Sequence, residues 1–141
     1  MASAKDYQKQ VCDVLQAKIR RGKIKLKFRW KSVPEAKATL AEIRQKQKRL
    51  RLIKKDINAE LRAIRAKYSH KAGSVSPGVI TSLALGKGTA KSLAASKRRS
   101  IRADRDRELR PYEEVKRIID GALVELDAAK NRISAWLDQN R

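Results

Sequence analysis

The sequence predicts a mainly α protein, a long antiparallel helical hairpin of coiled-coil type with an N-terminal helix and a short basic β-strand or extended segment ahead of it. Three observations predict it. Two long stretches carry apolar residues at spacings of three and four. With 36% charged and only 4% aromatic residues in 141 positions, the chain has little material for a deep globular core. Between the first helix and the hairpin, Lys23 to Lys31 reads K-I-K-L-K-F-R-W-K, a strict alternation of cation and hydrophobe. One domain is expected, in four parts: helix plus basic strand over 1–34, a long heptad helix over 35–68, a flexible Gly/Ser/Lys-rich basic loop over 69–100, and a C-terminal heptad helix over 101–141.

The first helix is expected over residues 4–21, where Val11, Leu15 and Ile19 are spaced by four with Val14 beside them, and Gly22 ends it. The alternating segment follows. As a strand it places Lys23, Lys25, Lys27, Arg29 and Lys31 on one side and Ile24, Leu26, Phe28 and Trp30 on the other. A helical winding would scatter both sets around the axis. At Ser32-Val33-Pro34-Glu35 a new helix begins, with Ser32 as cap, Pro34 in the first turn and Glu35 at the capping-box position. Its stripe is Ala36, Leu40, Ile43, Leu50, Ile57, Leu61, Ile64 and Tyr68, interrupted by Gln47 and Lys54 where a uniform seam would be apolar.

Glycines, serines and Pro77 break the pattern between 69 and 91, leaving a loop in which the apolar run Val79 to Leu85 is a candidate partner strand for the basic segment. The last helix starts between Ala90 and Asp104. Its seam is Tyr112, Val115, Ile119, Ala122, Leu126, Ala129, Ile133 and Trp136, with Pro111 either opening the packed part or kinking a longer helix. Using both stripes fully aligns Leu40 with Asn140 and Tyr68 with Tyr112, which brings Lys54 to Leu126 between Glu125 and Asp127. Folding back and pairing with a second copy or a partner's helix are both open to such stripes, because Leu52, Ile53, Ile118, Leu123 and Leu137 make the apolar faces broad.

The net charge is +21, unevenly placed. Residues 1–34 carry ten cations against two acids, 35–71 twelve against four, 72–103 six against none, and 104–141 eight against nine. Concentrated charge of one sign calls for a polyanion. The candidate nucleic-acid contacts are Arg20, Arg21, Lys23, Lys25, Lys27, Arg29 and Lys31 on the basic segment; Lys46 and Arg49 within the acid-free run from Arg44 to Lys55; and Lys97, Arg98, Arg99 and Arg102 after the loop. Phe28 and Trp30 are placed to stack on bases or to pack inward. The expected function is sequence-independent binding of DNA or structured RNA, without enzymatic activity or small-molecule substrate, and a nucleoid- or ribonucleoprotein-associated place in the cytoplasm. A coiled-coil adaptor docking on another protein is the alternative, and an anionic membrane surface a further one.

Catalytic and cofactor chemistry finds no footing. Gly86-Lys87-Gly88-Thr89 fails the Walker pattern, since Gly88 separates Lys87 from Thr89 and Thr81 stands where the first glycine belongs. The single histidine, His70, and the single cysteine, Cys12, are far apart in sequence, so neither a metal set nor a nucleophile–base pair is expected. Cys12 reads as a small hydrophobe among Val11, Val14 and Leu15 in a reducing compartment. Asp104, Asp106 and Glu108 alternate with arginines and read as a self-paired helix face. No run approaches the ~20 apolar residues of a membrane span, and the first ten residues lack a secretory pattern.

Overall fold

A computed structural model describes the backbone over residues 2–73 and 87–140, and side chains over 2–71 and 93–140. Three helices are present among these residues: α1 (Ala4–Leu15), α2 (Val33–Gly73) and α3 (Lys87–Asn140). The described residues fall into two compact units, Met1–Ile57 with Glu113–Arg141, and Asn58–Tyr112.

In the first unit, α1 starts at a reciprocal capping box: the Asp6 amide donates to Ser3 Oγ at 3.3 Å and the Ser3 amide to Asp6 Oδ2 at 2.9 Å. Donation from the Ser3 amide first, then from the Ser3 side chain, holds the Asp6 carboxyl below its usual range. Tyr7, Val11 and Leu15, spaced by four, are buried, while Cys12 is a half-buried free thiol. The helix ends at Leu15, well short of Gly22. Gln16 turns into the left-handed region (φ 51°) and the Ala17 amide reaches back to the Cys12 carbonyl at 3.3 Å, a Schellman-type closure. Ile19, counted in the helical stripe, is half-buried on the irregular chain beyond.

The predicted β-strand does not form. Residues 24–30 join no ladder, and the one bridge in the region is Arg20 with Lys23, closed by two amide–carbonyl bonds of 2.9 and 3.0 Å. Arg21 (φ 52°) and Gly22 (φ 73°) occupy its two central positions, as a type I′ turn requires. A strand needs a neighbouring chain to receive its amides, and the described residues supply none. The segment is instead laid against helices: the Leu26 amide donates to Glu125 Oε2 at 3.3 Å, and Trp30 meets Trp136 edge-to-face with ring centres 6.4 Å apart. The candidate pairing with Val79 to Leu85 lies outside the described residues.

α2 begins as the sequence specifies. The Glu35 amide donates to Ser32 Oγ at 3.3 Å, and the Glu35 carboxylate accepts the Lys31 amide at 2.8 Å, one residue earlier than a standard capping box. From this start Ala36, Ile43, Leu50 and Ile57 are buried and face Val115, Ile119, Ala122, Leu126, Ala129 and Ile133, also buried, across an antiparallel seam. The register differs from the expected one. Gln47 Nε2 donates to Asp127 Oδ1 at 2.7 Å and Lys54 Nζ to Asp120 Oδ1 at 2.5 Å. Lys54 therefore meets a residue six positions before Leu126, and Asp127 serves Gln47. Apolar stripes tolerate such a slide; the polar pairs select one register. Gln47 is buried with its amide bonded, so the interruption carries no unmatched group.

In the second unit, the rest of α2 and the start of α3 bury Leu61, Ile64, Ala94 and Leu109. The helices take up much of the expected loop over 69–100: α2 continues to Gly73 and α3 already begins at Lys87. Pro111 sits inside α3 rather than at its start, so the longer of the two expected helices is realised. Tyr68 Oη donates to Glu108 Oε2 at 2.5 Å, and Lys67 Nζ lies 3.2 Å from both carboxylate oxygens. The Tyr68 bond first, then Lys67, hold the Glu108 carboxyl below its usual range, while the same bond raises the Tyr68 hydroxyl.

Candidate nucleic-acid interface

The alternation in residues 23–31 survives without a strand. Lys23, Lys25, Lys27, Arg29 and Lys31 are exposed, Ile24 is buried, and Leu26, Phe28 and Trp30 are half-buried. Inward side chains bind the segment to the first unit; outward ones form a row of cations with no acid between them. Trp30 packs on Trp136, and Lys46 Nζ lies 5.6 Å from the centre of the Phe28 ring. Both aromatics thus have protein partners.

Arg20 and Arg21 are exposed at the turn that opens the row. The chain reverses there, and Lys18, Arg20, Arg21, Lys23 and Lys25, with Ala17, line a concavity of about 790 Å³. On α2, Arg44, Lys48, Arg49, Arg51 and Lys55 are exposed. Lys46, grouped with them in the sequence, is differently employed: its side chain is 14% exposed, Glu42 holds it at 2.9 Å, and it covers Phe28. In the second unit Lys97, Arg98, Arg99 and Arg102 are exposed on α3, and Arg102 joins Tyr68, Ser69, Ile101 and Arg105 around a small cavity of about 170 Å³.

Other charges are spent within and between the helices. Lys54 with Asp120, Lys67 with Glu108, Arg105 with Asp106 and Arg107 with Asp104 are ion pairs between 2.5 and 3.7 Å. The role of Asp120 and of the Gln47–Asp127 contact was missed from the sequence, yet a signal exists. The two polar interruptions of the α2 stripe are seven residues apart, and so are Asp120 and Asp127. An equal spacing on two facing helices fixes the antiparallel register.

No group of three His, Cys, Asp or Glu residues among the described residues is arranged to hold a metal ion, and none of the helices is long and apolar enough to cross a membrane. Comparison of the chain with known protein families, with curated proteins and with solved structures finds no match.

Proposed function

We propose that this protein binds nucleic acid through the phosphate backbone, without sequence preference and without catalysis. The observation that supports it most is the row from Lys23 to Lys31: five exposed cations on alternate residues, backed by a buried or half-buried apolar face. Alternate residues of an extended chain stand about 6.6–6.8 Å apart, so the row presents charge at regular intervals to a regularly charged polymer. Phosphate contacts of this kind position a duplex or single strand and read no sequence. The packing of Trp30 on Trp136 and of Phe28 beneath Lys46 favours the same reading, because stacking on bases would have to break those contacts. Arg49 and its exposed neighbours on α2, and Lys97, Arg98, Arg99 and Arg102 on α3, extend the cationic surface.

Each phosphate neutralised by a lysine or arginine releases condensed counterions, which makes affinity fall as salt rises. With about 5–10 contacts the slope of log affinity against log salt for duplex DNA is about −4 to −9. Fluorescence anisotropy of labelled duplexes of unrelated sequence, titrated over a salt series, tests this. Equal affinities with a steep common slope support the reading, and a flat salt dependence removes it. The adaptor alternative has weaker support: the large hydrophobic side chains exposed among the described residues are Leu52, Leu93 and Val124, a number ordinary surfaces carry.

A further inference from the structure

The row and the turn that opens it present charge in two different ways. Along residues 25–31 the cations alternate in line, whereas at the turn Lys18, Arg20, Arg21, Lys23 and Lys25 gather around one concavity within eight residues of chain. Among the described residues no carboxylate lines it. Among the described residues none of the five is ion-paired with an acid, although Lys46, Lys54, Lys67, Arg105 and Arg107 all are.

The reversal is specified by backbone as well as side chain. Arg20 and Lys23 exchange both amide–carbonyl bonds, and Arg21 and Gly22 both hold positive φ. A Cβ on Gly22 would meet nothing within 4 Å, so its φ of +73°, and not lack of room, is what asks for glycine. Bringing five like charges together costs self-repulsion, which an anion of matching charge density relieves. A phosphate monoester, at about −1.5 to −2, offsets fewer than half of them. Phosphates joined directly to one another concentrate more charge in a comparable width, and the concavity of about 790 Å³ exceeds the size of a single phosphate several times.

We propose that this turn is a binding site for a linear polyphosphate group, three or more phosphates joined by anhydride bonds, either free or at the 5′ end of an RNA. It rests on the reading of this face as phosphate-binding, and adds that the turn prefers adjoining phosphates to the spaced phosphates of a backbone. Arginines grip such oxygens with paired N–H groups while lysines supply point charge, so Arg20 and Arg21 direct the ligand and Lys18, Lys23 and Lys25 surround it.

Isothermal titration calorimetry of the full chain with sodium tripolyphosphate and with inorganic phosphate, at constant ionic strength, tests this. The expected result is one tripolyphosphate per chain, bound at least about tenfold more tightly than inorganic phosphate. Lys18→Gln with Arg20→Gln and Arg21→Asn should weaken tripolyphosphate by about tenfold or more, while Lys27→Gln with Arg29→Gln changes it by less than about twofold. Gly22→Pro keeps every cation but cannot adopt positive φ, so it should weaken tripolyphosphate as the triple change does. Circular dichroism and Trp30/Trp136 fluorescence check that each variant is folded.

Equal weakening by the turn and row variants, or a Gly22→Pro variant that binds as the parent does, overturns the proposal in favour of diffuse charge. A parent chain that binds duplex DNA but prefers inorganic phosphate overturns it and leaves the broader reading standing. A parent that binds tripolyphosphate at the turn but no duplex keeps the site and removes the broader reading. Stronger binding of a 5′-triphosphate RNA than of its 5′-hydroxyl counterpart assigns the ligand to RNA ends; equal binding assigns it to free polyphosphate.

Discussion

Residues 18–31 and the paired helices of the first unit both set cations beside apolar chain, with carboxylates of the helices in reach of each, yet they use charge oppositely. In the helices, Lys54 and Gln47 interrupt the α2 seam and are met by Asp120 and Asp127 of α3. In the segment, the acids that come near, Glu125 and Glu35, accept backbone amides of Leu26 and Lys31 and leave the lysine and arginine heads to solvent. One region spends its polar groups on its own register. The other leaves its cations exposed, with no acid paired to their side chains among the described residues. The lesson is that net charge counts paired and unpaired cations alike, and only the tertiary structure separates the two.

Four changes break or sharpen that contrast. Leu126→Ala, at a fully buried seam position, should cost about 2–5 kcal/mol in urea unfolding, with nucleic-acid binding lost only as the fold is lost. A loss below about 1 kcal/mol would mean the seam is not the core. Lys25→Gln, Lys27→Gln and Arg29→Gln together should lower the steepness of the duplex salt dependence by about 2–3 and leave the unfolding midpoint where it was. A parent-like salt dependence would make these cations a solvated edge that discourages strand pairing, and the exposed cations from Arg44 to Lys55 the leading contact.

Asp127→Ala leaves the buried Gln47 amide without its acceptor and should cost about 1–3 kcal/mol. Adding Gln47→Leu should recover much of it, since an apolar residue at that position restores the stripe; a pair of simply additive losses would deny the coupling. The smallest effect belongs to the half-buried Tyr68–Glu108 contact. The bond requires an ionised Glu108 and a protonated Tyr68, whose pKa values are shifted down and up respectively. Its contribution is therefore present from about pH 4.5 to 10, fading as Glu108 protonates below its lowered value and as Tyr68 ionises above its raised one. Absorbance titration of the tyrosinate should show one late-titrating residue of the three, absent in Tyr68→Phe.

Local signals were the legible ones. Ser32, Pro34 and Glu35 mark the start of α2, and spacings of three and four give the buried faces of α2 and α3, because caps and amphipathic stripes are written within a few residues of one another. The alternation from Lys23 to Lys31 equally specifies which side chains point out. Gly22 as the end of a helix was misleading: a glycine with positive φ serves a helix end and a type I′ turn alike, and Gln16 had already closed α1.

Composition and periodicity by themselves determine that the chain is helical, which faces are apolar, and that its first three quarters carry the positive charge. Tertiary structure alone decided the rest. Whether an alternating segment becomes a strand depends on a neighbour for its amides, and here helices take that place. The register of α2 against α3 depends on which acids reach Gln47 and Lys54, because apolar stripes slide and hydrogen bonds do not. Which cations remain unpaired depends on both, since pairing is a property of distance in space and not of position along the chain.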